Sequence, residues 1–230
     1  MPPLTRPKAI IFDMDGLMLD SESIYHLAWQ QAVTSLGYEF DSQLYLSLVG
    51  HSNVEAEQLM GQFFGDTFPF QTFRTAWTAY WHEHVQNHSI PVKSGLLELL
   101  DLLESYPIPK AVGTSSNLQE AEISLKGANL WHRFAHVVTV DQVAAGKPAP
   151  DIFLRAVQKL GVPPGDCLVL EDSNAGVKAA STAGIPVIMV PDLQPPSPEA
   201  QRQVCAIATS LHKVCDFLKP ALSGSDTKSE

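Results

Sequence analysis

Five short apolar runs, rich in Val and Ile and without strict alternation, punctuate the chain at Lys8–Phe12, Lys110–Gly113, His136–Val140, Cys167–Leu170 and Pro186–Val190. Runs of this kind suit strands covered on both faces, as in a parallel sheet. Between them, apolar positions recur at helical spacing over Ser94–Glu104, Leu118–Ala128, Asp151–Leu160 and Asn174–Ala183. Strands alternating with helices predict a doubly wound, Rossmann-like α/β sheet.

The step from the first strand to the second breaks this alternation. From Leu17 to about Pro91 no strand pattern is evident, and helical spacing dominates over Ser23–Leu36, Ser42–Leu48, Ser52–Phe64 and Phe70–His88. Ser52-Asn53-Val54-Glu55 fits a capping box at the start of one of these helices. An insertion of this length is far longer than an ordinary loop of a few residues. The expected organisation is therefore a core of residues 1–16 and 92–230, with 17–91 as an inserted helical cap over the end of the first strand. The tail from Pro191 is Pro-rich and then polar; no strand is predicted in it, and Ser223–Glu230 is expected to fray.

The chain's 230 residues suffice for one large domain or two small ones, and 45% apolar with 17% charged residues favours a packed core over disorder. A formal net charge of −10 argues against nucleic acid or an anionic membrane as the main partner. An enzyme of anionic substrates with this charge needs a local positive field from metal, lysine and helix N-termini. Cys167, Cys205 and Cys215 form no C-x-x-C and leave one thiol unpaired, which fits a reducing cytoplasm. No apolar run approaches the ~20 residues of a membrane span. Met1 to Lys8 lacks the apolar region of a signal peptide.

Four signals fall at the ends of four predicted strands. Asp13-x-Asp15, followed by Gly16, places two mutually repelling carboxylates where open α/β sheets bind ligands. Such a pair calls for a cation or a shared proton, and suits a nucleophile, an acid/base and a hard metal ion. Thr114-Ser115-Ser116-Asn117 feeds hydroxyls and amides into a helix N-terminus, as a phosphate cradle or an ordinary N-cap. Lys147-Pro148-Ala149-Pro150-Asp151 sets a lysine rigidly ahead of a helix, where it can neutralise a phosphate. Glu171-Asp172 offers oxygen ligands of the kind Mg²⁺ takes, although Asp172 or Ser173 could merely cap the next helix. Each has a bland explanation alone; four in this order make coincidence a poor account.

These residues resemble the haloacid dehalogenase-like hydrolase superfamily, in its phosphatase branch with a helical cap. The likeness spans nearly the whole chain: Asp13-Met14-Asp15-Gly16-Leu17 with Asp20-Ser21-Glu22, then Thr114-Ser115, Gly146-Lys147-Pro148 with Pro150-Asp151, then Glu171-Asp172-Ser173 with Gly176. The resemblance implies a Mg²⁺-dependent phosphatase. Asp13 would be the nucleophile and Asp15 the general acid/base. Mg²⁺ would be held by Asp13, the Asp15 carbonyl and Asp172, with Glu171 acting through a metal-bound water. Thr114, Ser115 and Lys147 would hold the phosphoryl oxygens. His51, after Gly50 in a loop resembling the family's specificity loop, and Met18, behind the turn at Gly16, are candidates for substrate specificity, with Met18 placed to line either the hinge or the pocket. The expected partner is a small phosphorylated metabolite, with a monomer as the default. Sugar phosphates, nucleotides, pseudouridine phosphate and phosphoglycolate all stay open.

Three other readings compete with this one. A dehalogenase of this superfamily lacks the second aspartate and the metal; Asp15, Glu171 and Asp172 are all present. A β-phosphoglucomutase-like mutase resembles the chain closely, but its histidine five residues past Asp20 is Tyr25 here, with His26 one place off. Its cap arginine is Asn53, and a bisphosphate wants a cation. A non-catalytic binding module would be expected to lack Asp13, Asp15, Lys147 or Asp172. His82, His84 and His88 read as a solvated helix face, and Trp29, Trp77 and Trp81 as cap core.

Overall fold

The computed structural model describes residues 5–40, 42–48, 53–65 and 67–224, apart from the side chains of 42, 46, 53–55 and 57. Strands β1 (Ala9–Phe12), β2 (Lys110–Gly113), β3 (His136–Val138), β4 (Cys167–Glu171), β5 (Val187–Met189) and β6 (Ala206–Ile207) form one sheet. The order is β3-β2-β1-β4-β5-β6, and every neighbouring pair is parallel. This is the strand order of the doubly wound fold, with its switch point where β1 meets β4.

Side chains alternate across β1 and bury against two different layers. Ile10 and Phe12 join a core that includes α5 (Leu96–Ser105) and α10 (Leu211–Ser223). Ala9 and Ile11 join a second core with α7 (Asp151–Leu160) and α8 (Asn174–Thr182). In α5, Leu96, Leu99, Leu100 and Leu103 lie on one face and are all fully buried. Each such leucine contributes roughly 1.5–3 kcal/mol relative to an exposed one. Helix α6 (Leu118–Gly127) opens with a complete capping box between Asn117 and Glu120, and α9 (Pro198–Gln203) precedes β6.

Among the described residues between β1 and α5 every regular element is helical: α1 (Glu22–Ser35), α2 (Ser42–Leu48), α3 (Asn53–Phe64) and α4 (Phe70–Asn87). Helices α1 and α4 pack through aromatic rings, with Trp29 edge-on to Phe73 at 5.6 Å and Tyr25 stacked on Trp81 at 5.9 Å. The chain leaves and re-enters the core along two paired segments. Leu19 bridges Val92, Asp20 N–H donates to the Pro91 carbonyl at 2.8 Å, and Lys93 N–H donates to the Met18 carbonyl at 2.9 Å. Lys93 Nζ also joins Asp20 (3.2 Å) on the outgoing segment to Asp192 (2.7 Å) after β5.

The tail differs from the expectation. It carries the sixth strand and two helices, and Leu211, Val214, Cys215, Leu218 and Leu222 of α10 are buried at helical spacing against the first core. The predicted strand at His136–Val140 stops at Val138, where a short 3₁₀ turn from Val140 begins. The capping box expected at Ser52-Asn53-Val54-Glu55 lies outside the described residues and side chains; of the end expected to fray, Ser223–Glu230, Ser223 closes α10 and residues 225–230 lie outside them.

Candidate active site

Four strand ends converge on one cleft of about 150 Å³. It is lined by Asp13 and Asp15 after β1, Thr114, Ser115 and Ser116 after β2, Lys147 before α7, and Glu171, Asp172 and Ser173 at the end of β4. Because β1 and β4 are neighbours in register, with Phe12 opposite Leu170, Asp13 stands beside Glu171 at the switch point. Gly16 turns the chain at φ +82, and a Cβ there would overlap the Asp172 carboxylate, so only glycine allows the two loops to close together. Gly176 plays the matching part on α8: a Cβ would overlap the Glu171 carboxyl.

Lys147 is buried and donates to Asp13 Oδ1, and to Glu171 Oε1 at 2.6 Å; its Nζ also lies 4.9 Å from the centre of the Phe153 ring. Burial acts to lower the pKa of this ammonium, but the charges of Asp13 and Glu171 outweigh it and hold it above its ordinary value. Ser173 fixes Glu171 from the other side, with its amide (2.7 Å) and hydroxyl (2.9 Å) both donating to Oε2. Asp15 is held by three hydroxyls. Ser21 donates to Oδ1 at 2.7 Å, and Ser116 (2.8 Å) and Thr114 (3.4 Å) donate to Oδ2. Burial raises the Asp15 pKa above its ordinary value, while these hydrogen bonds oppose the rise.

Asp13, Glu171 and Asp172 are all buried, and one ligand oxygen from each lies within 4.8 Å of the others. Among the described residues lining the cleft, Lys147 is the only cation facing these three carboxylates and Asp15. Burial, and then the like charges of Glu171 and Asp15, push Asp13 up to about 8 against the pull of Lys147. Burial and the charges of Glu171 and Asp13 likewise hold Asp172 well above the carboxylate range. An oxygen-only donor set with this excess of negative charge fits a hard divalent cation.

The sequence-predicted residues Asp13, Asp15, Thr114, Ser115, Lys147, Glu171 and Asp172 all line this cleft. Met18 does not: it is fully buried in the first core and belongs to the paired hinge segments, its carbonyl bonded to Lys93. His51 lies outside the described residues. Sequence reasoning gave no role to Ser116 or Ser21 in holding Asp15, and it missed Glu22, Tyr45 and Glu120 as lining residues. Trp81 is fully buried in the first core, whereas Trp29 and Trp77 pack against the same core and also line the cleft. His84 in the last turn of α4 and its C-cap His88 stack 4.8 Å apart, and neither belongs to the acidic cluster.

The all-parallel sheet in this order gathers acidic groups and a buried lysine at its switch point, as the resemblance implies. The chain belongs to the haloacid dehalogenase-like hydrolase family, whose model matches residues 10–190. It is 34% identical over 194 residues to a fructose-1-phosphate phosphatase of Escherichia coli, covering 80% of this chain and 97% of that protein. It is also 34% identical over 233 residues to a probable pseudouridine-5'-phosphatase of Drosophila melanogaster, covering 93% and 92%. Among solved structures it resembles a putative β-phosphoglucomutase from Thermotoga maritima, with a TM-score of 0.75, 27% identity, and coverage of 92% and 98%.

Proposed function

We propose that this protein is a Mg²⁺-dependent phosphatase that hydrolyses a small phosphate monoester through a phosphoryl group carried on Asp13. The observation that carries this reading is the position of Asp13 at the switch point, paired with Lys147 and one residue from the hydroxyl-held Asp15. Family membership and the phosphatases among its relatives support it.

Phosphate monoesters hydrolyse extremely slowly unaided, so splitting the reaction into two displacements is of great value. A carboxylate oxygen of Asp13 attacks phosphorus, and the bond to the alcohol oxygen breaks. Asp15, in its protonated form, gives that oxygen its proton. It then takes a proton from the water that attacks the aspartyl phosphate, which returns Asp13 and releases phosphate. Lys147 and the Thr114 and Ser115 groups face the phosphoryl oxygens as charge shifts between them. Asp13, Glu171 and Asp172, with the Asp15 carbonyl, would hold Mg²⁺. When bound, that ion supplies positive charge that lets an anionic nucleophile approach an anionic ester. Residues 17–91 would act as a cap that closes over the small substrate and excludes water.

Tyr25 lines the cleft where a mutase of this kind carries histidine, while His26 packs instead on the rings of Tyr45 at 4.7 Å and Phe40 at 6.1 Å. This supports hydrolysis over phosphoryl return. The test is phosphate release from a panel of small esters with Mg²⁺ and with excess chelator, including β-glucose 1-phosphate with and without a bisphosphate primer. Metal-dependent release is expected. Primer-dependent conversion to glucose 6-phosphate without release would make the protein a mutase. The absence of both release and conversion would refute the reading.

A further inference from the structure

The walls of the cleft differ by origin. The sheet side supplies the carboxylates, Lys147 and the hydroxyl loop. The inserted helices supply the rings of Tyr25, Trp29, Tyr45 and Trp77, together with the carboxyl group of Glu22, and α6 adds Glu120. Among the described residues lining the cleft, no cation stands on this second side. The sequence explains why. Residues 17–91 contain a single Lys or Arg, Arg74, which lies on an exposed face of α4.

The two glutamates are fixed but keep capacity to accept hydrogen bonds. Glu22 is half-buried, and its Oε2 accepts from the Tyr45 hydroxyl at 2.7 Å. Glu120 is buried, and its Oε2 accepts from the Asn117 amide at 3.2 Å. Each therefore has a second oxygen without a hydrogen-bond partner among the described residues. The indole N–H of Trp29 is also buried with no partner among them. A buried donor left unpaired is costly, and an oxygen of a bound molecule is the group that would satisfy it.

Taking the cleft as the phosphatase site proposed above, we propose that its cap side selects esters of uncharged, hydroxyl-bearing alcohols of the sugar or polyol type. It rejects esters whose alcohol part carries a carboxylate or a second phosphate, and Glu22 and Glu120 are the discriminating residues. Hydroxyls donate to the spare carboxyl oxygens and accept from an indole N–H, while ring faces cover the C–H faces of the alcohol. An anionic group in the same place loses water, meets no counter-cation and faces two acidic side chains. Specificity here comes as much from what is repelled as from what is bound.

The experiment compares kcat/KM within two size-matched pairs, glucose 6-phosphate against 6-phosphogluconate and glycerol 3-phosphate against 3-phosphoglycerate. It is run with Mg²⁺ at pH 8, where an ordinary histidine is neutral. The neutral member of each pair should lead by about tenfold or more. Glu22→Gln and Glu120→Gln should each narrow that lead about threefold or more, since a neutral amide no longer repels the anion. Both esters are measured on one sample, so any misfolded fraction cancels from the ratio. Equal or better turnover of the anionic members by the wild-type enzyme would overturn the proposal. So would ratios unmoved in both variants. p-Nitrophenyl phosphate separates the two levels. If it is hydrolysed while the pairs show no discrimination, only the specificity proposal fails; if neither it nor any other ester is hydrolysed, the phosphatase reading fails as well.

Discussion

A Lys147→Met substitution removes the cation from a buried cluster and leaves its carboxylates behind. Lys147 is 4% exposed, and its partners Asp13 and Glu171 are 8% and 0% exposed. Water therefore cannot replace the lost ammonium. Breaking a buried pair in this way costs about 3–5 kcal/mol. For a chain of this size, that lowers Tm by roughly 6–20 °C. The loss should depend on pH. Asp13 is already pushed up to about 8 with Lys147 in place. Without the ammonium it holds its proton more tightly still, so at pH 6 the cluster relieves itself by protonation and the loss is smaller than at pH 8.5. The assay is thermal unfolding of both proteins in excess chelator at the two pH values. Mg²⁺ should return part of the lost Tm, because a divalent cation compensates the same carboxylates, but not the turnover. A variant that melts with the wild type at pH 8.5 in chelator would refute the buried ion cluster.

Ser21→Ala removes the 2.7 Å hydrogen bond to Asp15 Oδ1 from a fully buried serine; kcat should fall about tenfold or more with KM little changed, as expected when a proton-transfer group loses its orientation. Gly176→Ala sets a methyl group against the Glu171 carboxyl, and should weaken activation by Mg²⁺ about 10–100-fold in a metal titration while circular dichroism stays native. In metal-free wild-type protein, burial raises Asp13 from 3.8 to about 8 and Glu22 from 4.5 to about 7. The folded state therefore binds these protons more tightly than the unfolded chain. Their stabilisation is complete below about pH 4 and is lost as pH rises through 7 to 8, so Tm in chelator should fall over pH 5–9 and Mg²⁺ should flatten the curve.

The sheet and its chemistry were legible because both leave strong local signals. Five strands read as apolar runs; Asp13, Thr114 and Asp172 each lie at the end of such a run, and Lys147 stands just ahead of a helix. The sixth strand was not legible, since Ala206–Ile207 is too short to make a pattern and Ile207 is exposed. Helix α10 did show helical spacing, but the prolines before it and Pro220 within it hid the periodicity. The place of Met18 in the chain suits either the hinge or the pocket. Only the tertiary pairing of Leu19 with Val92 shows that this segment turns under the core. Serine hydroxyls such as Ser21 and Ser116 occur everywhere as caps, so nothing local distinguishes the two that hold Asp15. Glu22 and Glu120 stand in the first turns of α1 and α6, and only the tertiary fold brings both to line one cleft.

The central claim is that Asp13 carries the phosphoryl group. Acid-quenching the enzyme during turnover of a good ester, followed by peptide mapping, tests it most directly. The account predicts phosphate on Asp13 in the peptide spanning β1 and its following loop. It also predicts that Asp13→Asn neither acquires that phosphate nor turns over, while remaining folded. Substantial turnover by Asp13→Asn, or phosphate found on another residue, would contradict it.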